Sequence, residues 1–148
     1  MKRQLLPPAW FGLAVAAMVI LHLLLPVCRI VSRPWSLLGI APVLSGIALN
    51  LWADRQFKHA RTTVKPFEES RCLITTGPFR ISRHPMYLGM TALLAGLAVL
   101  LGTLTSMIII PLFVLLMAAR FIPMEERMME ETFGDEYRSY RKRVRCWL

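Results

Sequence analysis

The sequence predicts an all-α fold, a polytopic membrane protein of one domain (residues 1–148) with about four transmembrane helices. Hydrophobic residues make up 55% of the chain, above the roughly 45–50% of soluble domains. The 18 Lys and Arg residues fall in short stretches between long uncharged runs, and these runs approach the roughly 20 residues that cross a bilayer. A net charge of +9 would suggest nucleic acid in a soluble protein. Charge segregated in this way is typical of membrane flanks, so we expect no nucleic-acid partner.

The first two predicted spans are residues 9–28 and 34–53. Arg29 and Arg33 lie in the short turn between them. His22 falls inside the first span, where an ionisable side chain is a candidate functional group. Because no ionisable partner is near it in sequence, we expect a neutral His22 that is hydrogen-bonded to another helix.

The first aqueous segment is the loop of residues 55–84, which carries seven Lys or Arg residues against two acids. It has little helical periodicity. Loops of this length are usually functional or disordered, and the apolar residues within this one favour an ordered loop.

A helical hairpin is predicted for residues 86–121. No charged residue occurs from Pro85 to Ala119, and one helix of that length would measure about 52 Å, too long for a single crossing. Gly102 begins the natural break. The sequence therefore predicts two further spans, residues 86–101 and 105–121.

The tail, residues 122–148, is predicted to be a C-terminal amphipathic helix that Gly134 interrupts near its start. Its basic face suits the surface of an anionic membrane. The apolar residues that recur at helical spacing are Phe133, Tyr137, Tyr140, Val144 and Trp147.

Charge asymmetry predicts the orientation of this multi-pass protein. With four spans, 16 of the 18 Lys and Arg residues lie on the side of the termini. The positive-inside rule then places both termini, the loop and the tail in the cytoplasm, at the inner membrane if the source is bacterial.

The same topology predicts a functional site. The stretch from Gly77 to Gly89 enters the third span, while Arg120 and the pair Glu125–Glu126 leave the fourth. A tight hairpin would bring these basic and acidic groups together at one membrane surface. Paired carboxylates are typical of acid–base catalysis or of a hard-metal site, and a salt-bridge cluster without further function is the alternative.

We predict no metal site. Too few oxygen ligands accompany the two glutamates. Cys28, Cys72 and Cys146 are scattered, without the spacing of a zinc site or a disulfide framework.

The motif order carries a family resemblance. Gly-Pro-Phe-Arg-x-x-Arg-His-Pro-x-Tyr-x-Gly, a hydrophobic hairpin, Glu-Glu and then Phe-Gly-Asp-Glu-Tyr-x-x-Tyr resemble the isoprenylcysteine carboxyl methyltransferase and phospholipid methyltransferase superfamily. The similarity runs from about Asp54 to Val144. Members are integral-membrane enzymes that use S-adenosylmethionine, and eukaryotic members carry additional spans.

The resemblance implies roles for individual residues. It matches Arg120, to within about one position, with the family's arginine that faces a substrate carboxylate. It makes His84 or Glu126 the candidate base if the acceptor is an amine. The residues it implies as cofactor-binding are Leu73, Ile74, Gly77, Phe79, Arg83, His84, Pro85, Met86, Tyr87, Gly89, Glu125 and Glu126.

The function implied is methyl transfer from S-adenosylmethionine to a lipophilic acceptor, with a carboxylate of the isoprenylcysteine type preferred. The alternatives are a phospholipid amine N-methyltransferase, an NADPH-dependent enzyme similar to sterol reductases, and a non-enzymatic membrane protein. The bilayer and the acceptor are the expected partners. The sequence does not specify the oligomeric state.

Overall fold

The structure, a computed structural model, describes residues 6–60 and 72–148. Within these residues every regular element is helical apart from one isolated β-bridge, so the all-α prediction is confirmed. The α-helices are α1 (Pro7–Leu24), α2 (Ile40–His59), α3 (Pro85–Leu101), α4 (Leu104–Leu116) and α5 (Ile122–Arg143). The shorter helices are the 3-10 turns Trp35–Gly39 and Gly77–Arg80 and the π-helical segment Met117–Phe121.

Three helical runs are long and apolar enough to cross a membrane: Pro7–Leu24, Trp35–His59 and Leu104–Arg143. α3 is an apolar helix of 17 residues, slightly shorter than the roughly 20 residues of a full crossing. Many large apolar side chains of α1, α2 and α4 are exposed. Exposed apolar faces of this extent suit contact with lipid and agree with a multi-pass membrane protein.

Two helix boundaries differ from those predicted. α1 ends at Leu24, four residues before the predicted limit, because Pro26 disfavours helical geometry in the residue before it. α2 continues to His59, beyond the predicted limit at Ala53. An ion pair one turn apart, Lys58 Nζ to Asp54 Oδ2 at 2.5 Å, supports the extension.

The predicted loop therefore begins only at residue 60. Its central part, residues 61–71, lies outside the described residues. The part that follows is ordered through the Gly77–Arg80 turn.

The predicted hairpin is present. Gly102 adopts φ 71°, the left-handed geometry that ends α3. The turn is held by the α1–α2 connection, since Ile30 N–H donates to Gly102 O (2.8 Å) and Leu104 N–H donates to Cys28 O (2.9 Å). His22 Nδ1 lies 3.3 Å from Thr103 Oγ1 at the start of α4, which agrees with the expected bond to another helix.

Glycine pairs bring α2 and α3 into backbone contact. A Cβ at Gly46 would lie 2.5 Å from Gly89 O, and a Cβ at Gly96 would lie 2.5 Å from Gly39 O. Gly39 and Gly46 are seven residues apart along the chain, as are Gly89 and Gly96, so the two glycines on each side share one helix face. Small residues allow such close approach of membrane helices, and the contact fixes the register of α3, whose first turn carries the candidate site.

The fourth span does not end as a separate helix. α4 passes through the π-helical segment into α5, giving one helical run of 40 residues, Leu104–Arg143. Gly134 interrupts α5 as predicted, with φ 52° and ψ −121°. A Cβ there would meet no atom within 4 Å, so the positive φ, rather than a lack of space, requires glycine.

The apolar face of the tail packs on the protein rather than on the membrane surface. Tyr137 and Tyr140 are buried with Ala53 of α2 and Phe79 in a second hydrophobic core. The Tyr140 hydroxyl donates to Phe79 O at 2.7 Å. The extended α2 and the Gly77–Arg80 turn supply the apolar surface, so our membrane-surface interpretation of this stripe is wrong for these two tyrosines.

Candidate functional site

The site begins where the 3-10 turn leads into α3. Gly77 has φ 61°, a geometry that glycine adopts without strain. Pro85 occupies the first turn of α3, where its missing N–H is not needed. This arrangement places the rings of His84 and Tyr87 in a stack, with centroids 5.6 Å apart and an interplanar angle of 11°.

His84 lies between two carboxylates near the start of α5. Its Nδ1 is 3.3 Å from Glu125 Oε2, and its Nε2 is 3.4 Å from Glu126 Oε1. The Tyr87 hydroxyl donates to Glu125 Oε1. The structure thus brings together the two motif halves that the hairpin was predicted to join.

Arg83 holds the second glutamate. Its Nε and Nη2 donate to Glu126 Oε1 at 2.9 and 2.6 Å. Its Nη1 donates to two main-chain carbonyls of the tail, Val144 O at 2.7 Å and Arg141 O at 3.2 Å. Four of the roughly five N–H donors of a guanidinium are therefore used inside the protein.

These contacts determine the charge states. Burial would raise the pKa of Glu126, but hydrogen bonds from His84 and Arg83 outweigh it and lower that pKa to about 2. Burial would lower the pKa of His84, but hydrogen bonds and charge from Glu125 and Glu126 outweigh it, so this pKa is raised. Glu126 is therefore an anion, and His84 keeps its proton to a higher pH than an ordinary histidine.

We predict a pH dependence from His84. Because its folded pKa is raised, its stabilising contribution is fully present below the unfolded value near 6.5 and is lost as pH rises through the folded pKa. Titration of ¹³C-labelled histidines by NMR in detergent should give a His84 midpoint above 6.5. Glu126→Gln should lower that midpoint, and a wild-type midpoint at or below 6.5 would contradict the assignment.

A metal-like set of donors occurs at the same place. Ligand atoms of His84, Glu126 and Cys146 lie within 4.8 Å of one another. Glu126 Oε1 already accepts two N–H groups of the Arg83 cation, whose charge opposes a metal ion there. The absence of a metal site therefore stays a prediction.

Several predicted cofactor residues have packing roles that the structure explains. Gly89 faces the α2 helix, where a Cβ would lie 2.5 Å from Asn50 Nδ2. A Cβ at Gly77 would meet the Gln56 side chain at 2.9 Å. Phe79 is buried and packs edge to face on Phe57, with centroids 5.3 Å apart.

Three further predicted residues lie beside the second core rather than in the cluster of His84, Tyr87 and the glutamates. They are half-buried and pack against the core of Ala53, Phe79 and the two tyrosines. These residues are Leu73, Ile74 and Met86.

Arg120 is not part of the cluster. It is exposed on the π-helical segment, whereas the next residue, Phe121, is buried. A π-helical turn inserts one residue and rotates the faces of the helix that follows. Arg120 makes no ion pair within residues 6–60 and 72–148.

The sequence analysis missed the contribution of the C-terminal segment. Ser82 Oγ donates to Cys146 O at 2.9 Å and accepts the His84 N–H at 3.1 Å. Arg141 Nε lies 3.6 Å from Glu126 Oε2. The spacing of the tail residues predicted a helix, but no pattern in the sequence pairs Ser82 with a carbonyl 64 residues away.

Comparisons with known proteins agree on one family. A sequence profile of the phospholipid methyltransferase family matches residues 35–136. A probable protein-S-isoprenylcysteine O-methyltransferase of Oryza sativa subsp. japonica is 30% identical over 117 residues, which cover 76% of this chain and 60% of the relative. Protein-S-isoprenylcysteine O-methyltransferase B of Arabidopsis thaliana is 32% identical over 110 residues, or 72% of this chain and 55% of the relative.

A solved structure shares the fold. The eukaryotic intramembrane Ras methyltransferase ICMT (isoprenylcysteine carboxyl methyltransferase) matches with a TM-score of 0.70 at 20% identity. The match covers 95% of this chain and 51% of that chain. The chain therefore spans about half to three fifths of the length of these relatives.

Proposed function

Because this chain belongs to the phospholipid methyltransferase family, we propose that it transfers a methyl group from S-adenosylmethionine to a lipophilic acceptor at the membrane surface. The observation that carries the proposal is the contact of His84 and Tyr87 with Glu125, which joins motif halves about 40 residues apart. These residues lie at the start of the apolar helix α3 and at the start of the polar helix α5, which continues the apolar α4, and we place this boundary at the membrane surface. A water-soluble donor and a lipid acceptor meet at such a boundary.

The groups present suit the donor. S-adenosylmethionine, when bound, supplies an electrophilic methyl group on a positively charged sulfur. Glu125 offers an anionic side chain that is 21% exposed, and the Tyr87 and His84 rings lie beside it. Glu126, at 11% exposure and bound to Arg83, would act on the donor through His84. We therefore propose Glu125, His84 and Tyr87 as the principal donor contacts.

The charge states favour a carboxylate acceptor. An amine would first have to lose a proton to a base. Glu126, with a pKa of about 2, is a weak base, and the raised pKa of His84 leaves less of that side chain in the neutral form that could accept a proton. A carboxylate needs only positioning and partial desolvation, and alignment supplies much of the rate of such a displacement.

Arg120 remains our proposal for orienting the acceptor. It is exposed and follows the last fully apolar stretch of α4. A guanidinium matches a carboxylate in two parallel hydrogen bonds. In this arrangement the acceptor approaches from the lipid side, and the donor approaches from water.

Two alternatives stay testable. The matched family is described by phospholipid methylation, which makes phosphatidylethanolamine the second candidate acceptor. Calorimetry with S-adenosylhomocysteine and with NADPH separates a methyltransferase from a reductase. Binding of the former alone supports the proposal, and binding of NADPH alone or of neither would overturn it.

We also propose that the termini are cytoplasmic, which the distribution of Lys and Arg supports. Labelled S-adenosylmethionine should then methylate a prenylcysteine analogue in inside-out membrane vesicles, and not in right-side-out ones. Transfer to phosphatidylethanolamine instead would favour the alternative acceptor. Activity confined to right-side-out vesicles would reverse the orientation.

A further inference from the structure

The C-terminal segment Val144–Trp147 is tied to the residues just before α3 by hydrogen bonds to its carbonyl groups. The Arg83 side chain donates to Val144 O (2.7 Å), and its main-chain N–H donates to Arg145 O (3.0 Å). The Ser82 hydroxyl donates to Cys146 O (2.9 Å). Three successive carbonyls are thus held by two neighbouring residues.

The tied segment forms one side of the candidate site. The Cys146 sulfur, His84 and Glu126 place donor atoms within 4.8 Å of one another. Cys146 and Trp147 also pack against the hydrophobic core that contains Tyr87. The segment therefore contacts both the charged cluster and the apolar side of the site.

Arg83 connects this segment to the cluster. One edge of its guanidinium binds Glu126 Oε1, and Nη1 binds the tail carbonyls. With four donors so engaged, little of the side chain is left for a ligand. This differs from the role in cofactor binding that the sequence analysis assigned to Arg83.

We propose that Arg83 is a positioning residue that clamps the segment Val144–Trp147 over the cluster and simultaneously holds the Glu126 carboxylate beside His84. The hydrogen bonds of Arg83 and Ser82 form the clamp. That the clamp encloses a methyl-donor site rests on the proposed function. Lysine cannot replace this arginine fully, because an ammonium lacks the planar fork that reaches a carboxylate and a carbonyl at once.

Cys146 provides a direct reporter of the clamp. The chain has three cysteines, so Cys28→Ser and Cys72→Ser leave Cys146 as the single thiol. In this background, without ligand, we expect Arg83→Gln to accelerate the reaction of Cys146 with a water-soluble maleimide at least tenfold. Loss of the Arg83 charge would by itself raise the pKa of this thiol further and slow the reaction, so acceleration reports exposure.

Graded variants separate the clamp from general loss of structure. Ser82→Ala removes one tie only and should accelerate the reaction less, about threefold, and Arg83→Lys should lie between Ser82→Ala and Arg83→Gln. Arg138→Gln is the matched control, since this exposed arginine of the same tail pairs with Glu130 and Asp135 instead. It should leave the rate within twofold of wild type.

Unchanged Cys146 reactivity in both Arg83→Gln and Ser82→Ala would overturn the proposal, as would equal acceleration by Arg138→Gln. If Arg83→Gln does not fold, the comparison of Cys146 reactivity between Ser82→Ala and Arg138→Gln decides: faster reaction in Ser82→Ala supports the clamp, and equal rates contradict it. Binding of S-adenosylhomocysteine to the wild-type protein tests separately whether the clamp encloses a methyl-donor site. If wild type binds no S-adenosylhomocysteine while Arg83→Gln accelerates the reaction of Cys146, the clamp is supported and the proposed function is contradicted.

Discussion

Glu125→Ala is expected to abolish detectable binding of S-adenosylhomocysteine, a loss of at least a hundredfold in affinity. The substitution removes the more accessible carboxylate of the cluster, 21% exposed. It also leaves the Tyr87 hydroxyl and the His84 ring without their shared acceptor. A hydrogen bond to a charged group contributes roughly 1.5–3 kcal/mol, so loss of the proposed contact between Glu125 and the donor, together with the displacement of Tyr87 and His84, accounts for an effect of this size. Calorimetry on protein in lipid nanodiscs would measure it.

His84→Ala should have a similar effect, because this imidazole holds both glutamates in place. Glu131→Ala is the matched control, since Glu131 lies on the same helix as Glu125 and is exposed. The affinity of this variant for S-adenosylhomocysteine should stay within twofold of wild type. Each variant should retain the helical circular dichroism of wild type. Normal binding by both Glu125→Ala and His84→Ala would show that the site has been assigned to the wrong residues.

Gly46→Ala is expected to cause a large loss of stability although it adds only one methyl group. The new Cβ would lie 2.5 Å from Gly89 O and 2.9 Å from Leu93 N. Both obstacles are main-chain atoms of α3, so the helices would have to separate. Overpacking of this kind costs about 1–3 kcal/mol, and more where the backbone must move.

Gly12→Ala is the control for this prediction. Gly12 lies in α1, and a Cβ there would meet no atom within 4 Å. Alanine also favours helix over glycine. In thermal unfolding in detergent, Gly46→Ala should lower the melting temperature by several degrees, whereas Gly12→Ala should leave it unchanged or raise it. Equal melting temperatures for the two variants would contradict the close contact of α2 with α3.

The helices were predictable because their determinants are local. Uncharged runs bounded by Arg29 and Arg33, and a break at Gly102, can be read directly from composition and period. The end of α2 was harder to predict from the sequence. Its extension to His59 is supported by the Lys58–Asp54 pair and by burial of Ala53 beneath the tail. Such burial is a tertiary effect that period alone does not report.

The site was predictable in its partners but not in their tasks. Topology brought His84 to Glu125 and Glu126, and the structure places them within 3.4 Å. Arg83 looked like a ligand contact because its neighbours in the motif do. Besides Glu126, its partners are two main-chain carbonyls of the tail. Any residue type supplies such a carbonyl, so the sequence does not reveal this contact.

The helical run that begins at Leu104 continues to the break at Gly134 and joins the acidic pair to the lipid-facing part of the chain. At 1.5 Å per residue, residues 104–133 form a helix about 45 Å long, half as long again as the roughly 30 Å of hydrocarbon that a bilayer presents. Helices adjust to bilayer thickness by tilting. The glutamates lie on this long helix, whereas His84 lies at the start of the shorter α3. We therefore expect a change in bilayer thickness, which alters the tilt of the long helix, to alter the distance between His84 and the glutamates.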